Sequence, residues 1–134
     1  MSLATWKEEF YPIPAEDACR SVMEALDHSI LKWSGVTKEN LIKHGCELYG
    51  CEVQEISDIF DFRFNSSTCA LCKLVEEECC DCIITKACGC PCCSYRNYTE
   101  PTAYGVFIHK GDGEPMRKLL VESKKYLDKE GTYE

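Results

Sequence analysis

No basic run and no long apolar run occur anywhere in this sequence. Acidic residues outnumber basic ones, 23 to 15, and the formal net charge is -8. A duplex nucleic-acid binder needs Lys and Arg facing phosphates, so this balance disfavours nucleic acid as a partner. The want of a continuous apolar stretch of about 20 residues argues against a membrane-spanning helix. The opening residues, Met1-Ser2-Leu3-Ala4-Thr5-Trp6-Lys7-Glu8-Glu9, turn acidic with no apolar run behind them. They carry no secretory pattern, and a cytoplasmic protein is expected.

Catalytic signatures are missing as well. The three histidines, His28, His44 and His109, form no His-x-x-x-His or His-Glu-x-x-His pair, the arrangement that builds an open zinc site. His28 and His44 read as surface or capping residues. His109 is a minor candidate for approaching a metal. No Gly-x-Ser-x-Gly elbow occurs. Lys110-Gly111-Asp112-Gly113 is too short and acidic to cradle phosphate, and it reads as a turn and helix cap. Carboxylates are plentiful, but no pair stands out, so an enzyme is not indicated. No repeat or low-complexity linker divides the 134 residues, which suit one domain.

What the chain has in excess is cysteine. There are twelve, and nine lie within residues 69–93. A secreted disulfide scaffold or an intracellular metal protein would both explain the number. The crowding favours metal. Adjacent pairs such as Cys79-Cys80 and Cys92-Cys93 are hard to join to each other, because a disulfide demands a set Cα separation and Cβ direction.

Zinc takes four ligands in a tetrahedron and binds thiolates well. Two cysteines three positions apart can aim both sulfurs at one point and so supply half a site. Cys69-Ala70-Leu71-Cys72 and Cys79-Cys80-Asp81-Cys82 are two such knuckles, separated by the six residues 73–78. Cys69, Cys72, Cys79 and Cys82 are therefore the first-choice zinc ligands. Cys88, Cys90, Cys92 and Cys93 form a second site or supply a replacement ligand to the first, and Cys80 is an alternative to Cys79. The closed, all-sulfur character of such a site marks it as structural rather than catalytic. An iron–sulfur cluster also takes four thiolates, but the ferredoxin run ending in Cys-Pro is absent. A redox Cys-x-x-Cys would need an activated thiolate. Here Glu76, Glu77, Glu78 and Asp81 surround the knuckles and oppose thiol ionisation. Cys19, Cys46 and Cys51 read as core residues.

The fold expected is mainly α: a small helical domain carrying an irregular, metal-clamped cysteine loop. Residues 1–12 read as a loose arm and residues 13–64 as the helical part. Pro14 opens a helix whose apolar stripe includes Cys19, Val22, Met23, Leu26, Ile30 and Trp33, and Gly35 ends it. Thr37 caps a short helix stopped by Gly45. From Cys46 the spacing predicts a helix that turns extended near Asp61, and Asn65-Ser66-Ser67 reads as a loop. Residues 69–93 hold too few large apolar side chains to fold without a staple. Tyr104 to His109 reads as a short strand or a buried extended stretch. Residues 112–130 form the C-terminal helix, with Met116, Leu119, Leu120 and Leu127 as its stripe, and it is expected to pack on the first helix.

Several of these blocks are familiar together. Ala25 to Trp33 fits A-x-x-x-S-I-x-K-W, and Cys69-Ala70-Leu71-Cys72 and Cys79-Cys80-Asp81-Cys82 follow it in order. The arrangement resembles a group of small uncharacterised phage and prokaryotic proteins with a C-A-L-C…C-x-x-C core. The resemblance spans about residues 18–125 and implies that the two knuckles are the shared element. It implies no activity. The stretch between Trp33 and Cys69 is longer here, Ile83 stands where proline is usual, and Cys80, Cys88, Cys90 and Cys92 are additional. The function expected is that of a zinc-binding structural module that engages another protein. An iron–sulfur or redox protein and a secreted disulfide-rich domain are the alternatives.

Overall fold

A computed structural model describes residues 2–50, 52–55, 61–64, 68–74 and 103–130. They form a mainly helical structure with one small three-stranded sheet.

Helix α1 spans Leu3–Phe10. This replaces the loose arm expected at residues 1–12. Ser2 starts it with a capping box: Ser2 Oγ accepts the Thr5 N–H at 3.2 Å, and Thr5 Oγ1 accepts the Ser2 N–H at 2.9 Å. Leu3, Trp6 and Phe10 fall on one stripe, and all three are buried. Eight residues hold no helix in water alone, so packing supplies the stability. Trp6 packs on Phe10, Phe62 and Phe64 with centroids 5.7, 5.2 and 6.0 Å away, and its Nε1–H donates to the Gly35 carbonyl at 2.9 Å.

Pro14 precedes a single 3-10 turn, Ala15–Asp17, rather than a long helix. Helix α2, Val22–Ser34, begins seven residues after that turn opens, because Ser21 caps it by accepting the Glu24 N–H at 3.1 Å. Cys19 consequently lies ahead of the helix, half-buried with its Sγ 3.3 Å from the Glu16 carbonyl, and not on an apolar helical face. Gly35 ends α2, as the sequence predicts. Thr37 caps α3, Lys38–Lys43, and Gly45 at φ 66° stops the chain from continuing it.

Residues 46–49 and 52–55 are strands and not the expected helix. β1 (Cys46–Tyr49), β2 (Glu52–Glu55) and β3 (Asp61–Arg63) form an antiparallel sheet in that order, with Leu48 opposite Val53 and Val53 opposite Phe62. Gly50 at φ 57° turns the first hairpin. Glycines in the left-handed region at both ends of β1 deny a helix there. The extended stretch at Asp61 is present as predicted, and Asn65-Ser66-Ser67 lies outside the described residues.

Helix α4 is Ala70–Leu74, α5 is Ala103–Lys110 and α6 is Glu114–Glu130. The sequence suggests a strand at Tyr104 to His109, since β-branched and aromatic residues crowd it. It is helical because Phe107 turns into the core against Trp33 and Phe64, with centroids 4.6 and 5.4 Å away. Gly111 closes the helix at φ 68°, its N–H bonded to the Phe107 carbonyl at 2.9 Å. The C-terminal helix matches expectation: Met116, Leu120 and Leu127 are buried and Leu119 is half-buried.

α2 is the hub. It contacts α1, α4 and α6, and α5 packs on α6. The α6 start sits so close to the end of α2 that a Cβ at Gly113 would collide with Val36 Cγ2 and approach Trp33 Cε3 to 3.2 Å. Gly113→Ala is expected to destabilise the protein by about 1–3 kcal/mol through overpacking. A lowered urea midpoint at unchanged m-value would register it.

Candidate metal centre

The segment after β3 is fastened at two points. Thr68 Oγ1 donates to the Arg63 carbonyl at 2.7 Å, and the Thr68 carbonyl accepts a hydrogen bond from Lys32 Nζ at 2.9 Å. Lys32 comes from α2 and has 0% of its surface exposed. Its ammonium lies 5.7 Å from the Trp33 ring centroid and 5.1 Å from that of Phe64, within cation–π range.

Cys69 stands at the head of α4. Its carbonyl accepts the Lys73 N–H at 3.0 Å, which starts the helix, and its Sγ accepts the Cys72 N–H at 3.4 Å. Sulfur thus takes the place of the hydroxyl or carboxylate that usually caps a helix. Cys72 lies three residues on, which sets both cysteines on the same side of the helix turn. Cys69 is buried and Cys72 half-buried. The two sulfurs of the first predicted knuckle are therefore on adjoining turns of backbone, beneath α2.

Burial lowers the Lys32 pKa below the ordinary lysine value, and the charges of Cys69 and Cys72 pull it back up. Burial also raises the Tyr11 phenol, to which Cys69 contributes in the same direction. Cys69 thus lies within electrostatic reach of α2 and of the segment following α1.

Cys79, Cys82, Cys88, Cys90, Cys92 and Cys93, together with Cys51 and Cys80, lie outside the described residues. Among the described residues no three His, Cys, Asp or Glu side chains are grouped to hold a metal ion. No protein-family model, curated protein or solved structure matches the chain.

His28 differs from expectation, whereas His44 stands at the C-cap of α3, as its reading as a capping residue expects. His28 is buried and not on a solvated face. Its Nε2 lies 2.6 Å from the Ile13 carbonyl, and a carbonyl can only accept, so Nε2 carries the proton and Nδ1 holds a lone pair. Nδ1 has no hydrogen-bond partner among the described residues, and neither has the buried Ser29 Oγ beside it in sequence. Helical spacing places His28 opposite the apolar stripe. The chain folding back over it decides its burial, with Tyr11 edge-on at 4.9 Å. No local signal in the sequence marks that cover.

Burial depresses the His28 pKa below the ordinary 6.5. The unfolded chain then binds more protons than the native one as pH falls through 6.5, so native stability declines in that direction. His28→Gln is expected to flatten the decline between pH 7.5 and pH 5.5, as read from urea midpoints of variant and parent.

His44 is also buried, at the end of α3. It lies 2.9 Å from Thr5 Oγ1 through Nδ1 and 2.7 Å from Glu9 Oε1 through Nε2. Lys43 reaches Glu9 at 3.0 Å. Hydrogen bonds from His44 and Lys43 hold the Glu9 carboxyl below the usual carboxylate range. These contacts tie α1 to α3. Cys46 is buried, in keeping with its reading as a core residue, and His109 is exposed on the last turn of α5.

Proposed function

We propose that this chain is a zinc-stapled interaction module. Cys69 and Cys72 supply one half of a closed sulfur site, and Cys79 and Cys82 supply the other. Cys88, Cys90, Cys92 and Cys93 serve a second ion or furnish a replacement ligand. The observation that carries this reading is the seating of the first knuckle, where Cys69 Sγ accepts the Cys72 N–H at the head of α4 and the preceding carbonyl is held by a buried cation.

The donors suit zinc. Thiolates are good zinc ligands, and a sulfur receiving a backbone N–H is oriented before metal arrives. Zinc in such a site supplies cross-linking and no chemistry. Its value lies in residues 69–93, which carry Leu71, Leu74, Val75, Ile83 and Ile84 as their main apolar bulk. The acidic surface favours a protein partner with basic character over nucleic acid. No helix among the described residues is long and apolar enough to cross a membrane. A reducing, cytoplasmic setting and kinship with the small phage and prokaryotic group belong to the same proposal.

Elemental analysis of protein purified without chelators, combined with thiol counting after denaturation, tests it. One or two zinc ions per chain and reactive thiols are expected. A coloured iron centre, or cysteines fully paired with each other, would overturn it.

A further inference from the structure

We propose that residues 12–17 form a strap across α2, which His28 latches when neutral and releases when protonated. The inference goes beyond the zinc reading above and stands apart from it.

The latch is one polar contact. The Ile13 carbonyl accepts from His28 Nε2 at 2.6 Å. Pro12 and Pro14 flank Ile13 and restrict the backbone on either side of it, which keeps that carbonyl aimed at α2. Little else fastens the strap. Pro12, Ile13, Pro14, Glu16 and Asp17 are exposed, and Ala15 alone among these six residues is buried. Tyr11 supplies the second hold: its hydroxyl accepts the Ala15 N–H at 2.9 Å, and its ring stands edge-on to His28. A segment with so few buried apolar groups can open while the rest of the domain stays folded. Its 3-10 turn, Ala15–Asp17, packs on α4, so opening uncovers that side of α4 as well as His28.

Protonation works against the closed strap. Neutral His28 donates through Nε2, and its buried Nδ1 meets no hydrogen-bonding group among the described residues. A proton there becomes a buried donor without an acceptor, on a ring whose new charge has lost its hydration. Water satisfies both once the strap lifts. The charges around the ring do not reverse this. Burial outweighs the bond to Ile13. Lys32, one turn further along α2, adds to burial, whereas Cys69 at the head of α4 and Glu24, one turn back, oppose it. On the strap side the Tyr11 phenol is held neutral by burial, and Glu16 and Asp17 are exposed.

His44 provides the contrast. Both of its ring nitrogens lie within hydrogen-bond distance of an oxygen, Thr5 Oγ1 and Glu9 Oε1. A proton on His44 therefore strands no donor, and α1 keeps its tie to α3. Acid lifts the strap and leaves the helix before it in place.

Hydrogen exchange followed amide by amide in the full chain, at pH 7.5 and pH 5.5 and corrected for the intrinsic change in rate, tests the latch. The probes are the N–H groups of Ala15, Asp17 and Ala18, bonded to the Tyr11 hydroxyl and to the Pro14 and Ala15 carbonyls. With an ordinary histidine value of 6.5 in the open state, the opening constant is expected to rise about tenfold between the two pH values, and protection to fall by the same factor. His28→Gln keeps a donor for the Ile13 carbonyl and takes up no proton, so its strap protection is expected to be the same at both. Tyr11→Phe removes the acceptor for Ala15. It is expected to lower strap protection at both pH values and to keep the tenfold response. The Gly35 and Gly111 amides, bonded to the Lys32 and Phe107 carbonyls, serve as references and are expected to be better protected than the strap.

Unchanged strap protection in the parent, or a pH response that persists in the Gln variant, would overturn the latch. Strap and reference amides equally protected and moving together would show that acid acts on the whole fold, and that too would overturn it. Should the Gln variant fail to fold, the parent's strap amides against its reference amides, with Tyr11→Phe beside them, carry the comparison.

Discussion

Replacing Trp6 with alanine is expected to lower the free energy of unfolding by about 3–5 kcal/mol. Trp6 has 0% exposure and meets three aromatic rings, one from its own helix and two from the β3 region. Its removal opens a cavity that the fused neighbours cannot collapse into without leaving their own partners. The substitution also strands the Gly35 carbonyl, which accepts from the indole at 2.9 Å, and an unsatisfied buried acceptor carries its own penalty of about 1–3 kcal/mol. Domains of this size are stable by only about 5–15 kcal/mol. The variant should therefore sit close to its unfolding transition at room temperature. Trp6→Phe keeps most of the apolar area and loses the hydrogen bond, so a smaller loss is expected. Denaturant titration of the three proteins decides the matter. A loss under about 1 kcal/mol in the alanine variant would mean that α1 is not part of the cooperative core.

Cys69→Ser is expected to remove one zinc ion per chain and to loosen the α4 segment. Serine preserves shape, and its hydroxyl is a better helix cap than a thiol. The helix start is consequently not the casualty, and the lost metal reports on the sulfur as ligand. Structural zinc contributes about 10–16 kcal/mol in small finger peptides, so losing a site should shift melting by many degrees even where a separate core survives. Cys19→Ser is the control. Cys19 lies ahead of α2 and is half-buried, so a change within about 0.5 kcal/mol and unaltered metal content are expected. This departs from the core perturbation that helical spacing predicts for that residue. Equal metal content in the Cys69 variant and the parent, measured by elemental analysis, would remove Cys69 from the ligand set.

Elements closed by local chemistry were legible from sequence. Thr37 and Gly45 bracket α3, and Asp112 with the stripe from Met116 announces α6, because a cap and a left-handed glycine act within a few residues. The stretch from Cys46 was not legible. Its apolar residues at 46, 49 and 53 have helical spacing, and the pairing of Leu48 with Val53 and of Val53 with Phe62 overrides it. Residues 104–109 show the converse. Their composition favours a strand, yet Phe107 gains more by entering the ring cluster of Trp33 and Phe64 from a helix. α1 is not legible in the sequence because three large apolar residues in eight are too few to signal a helix without the sheet and α2 that receive them. At the site, cysteine spacing marked Cys69 and Cys72 as a knuckle, but nothing near Lys32 or His28 in the chain marked either as buried.

By itself the sequence determined the acidic balance, the concentration of sulfur in one segment, the residues that start and stop α3 and those that start α6, all of which depend on composition or on neighbours a few positions apart. Tertiary structure alone decided that Lys32 reaches a carbonyl 36 residues away, that His28 is covered, and that the first helix belongs to the core. Burial depends on what packs against a face, and the groups that pack here come from distant parts of the chain.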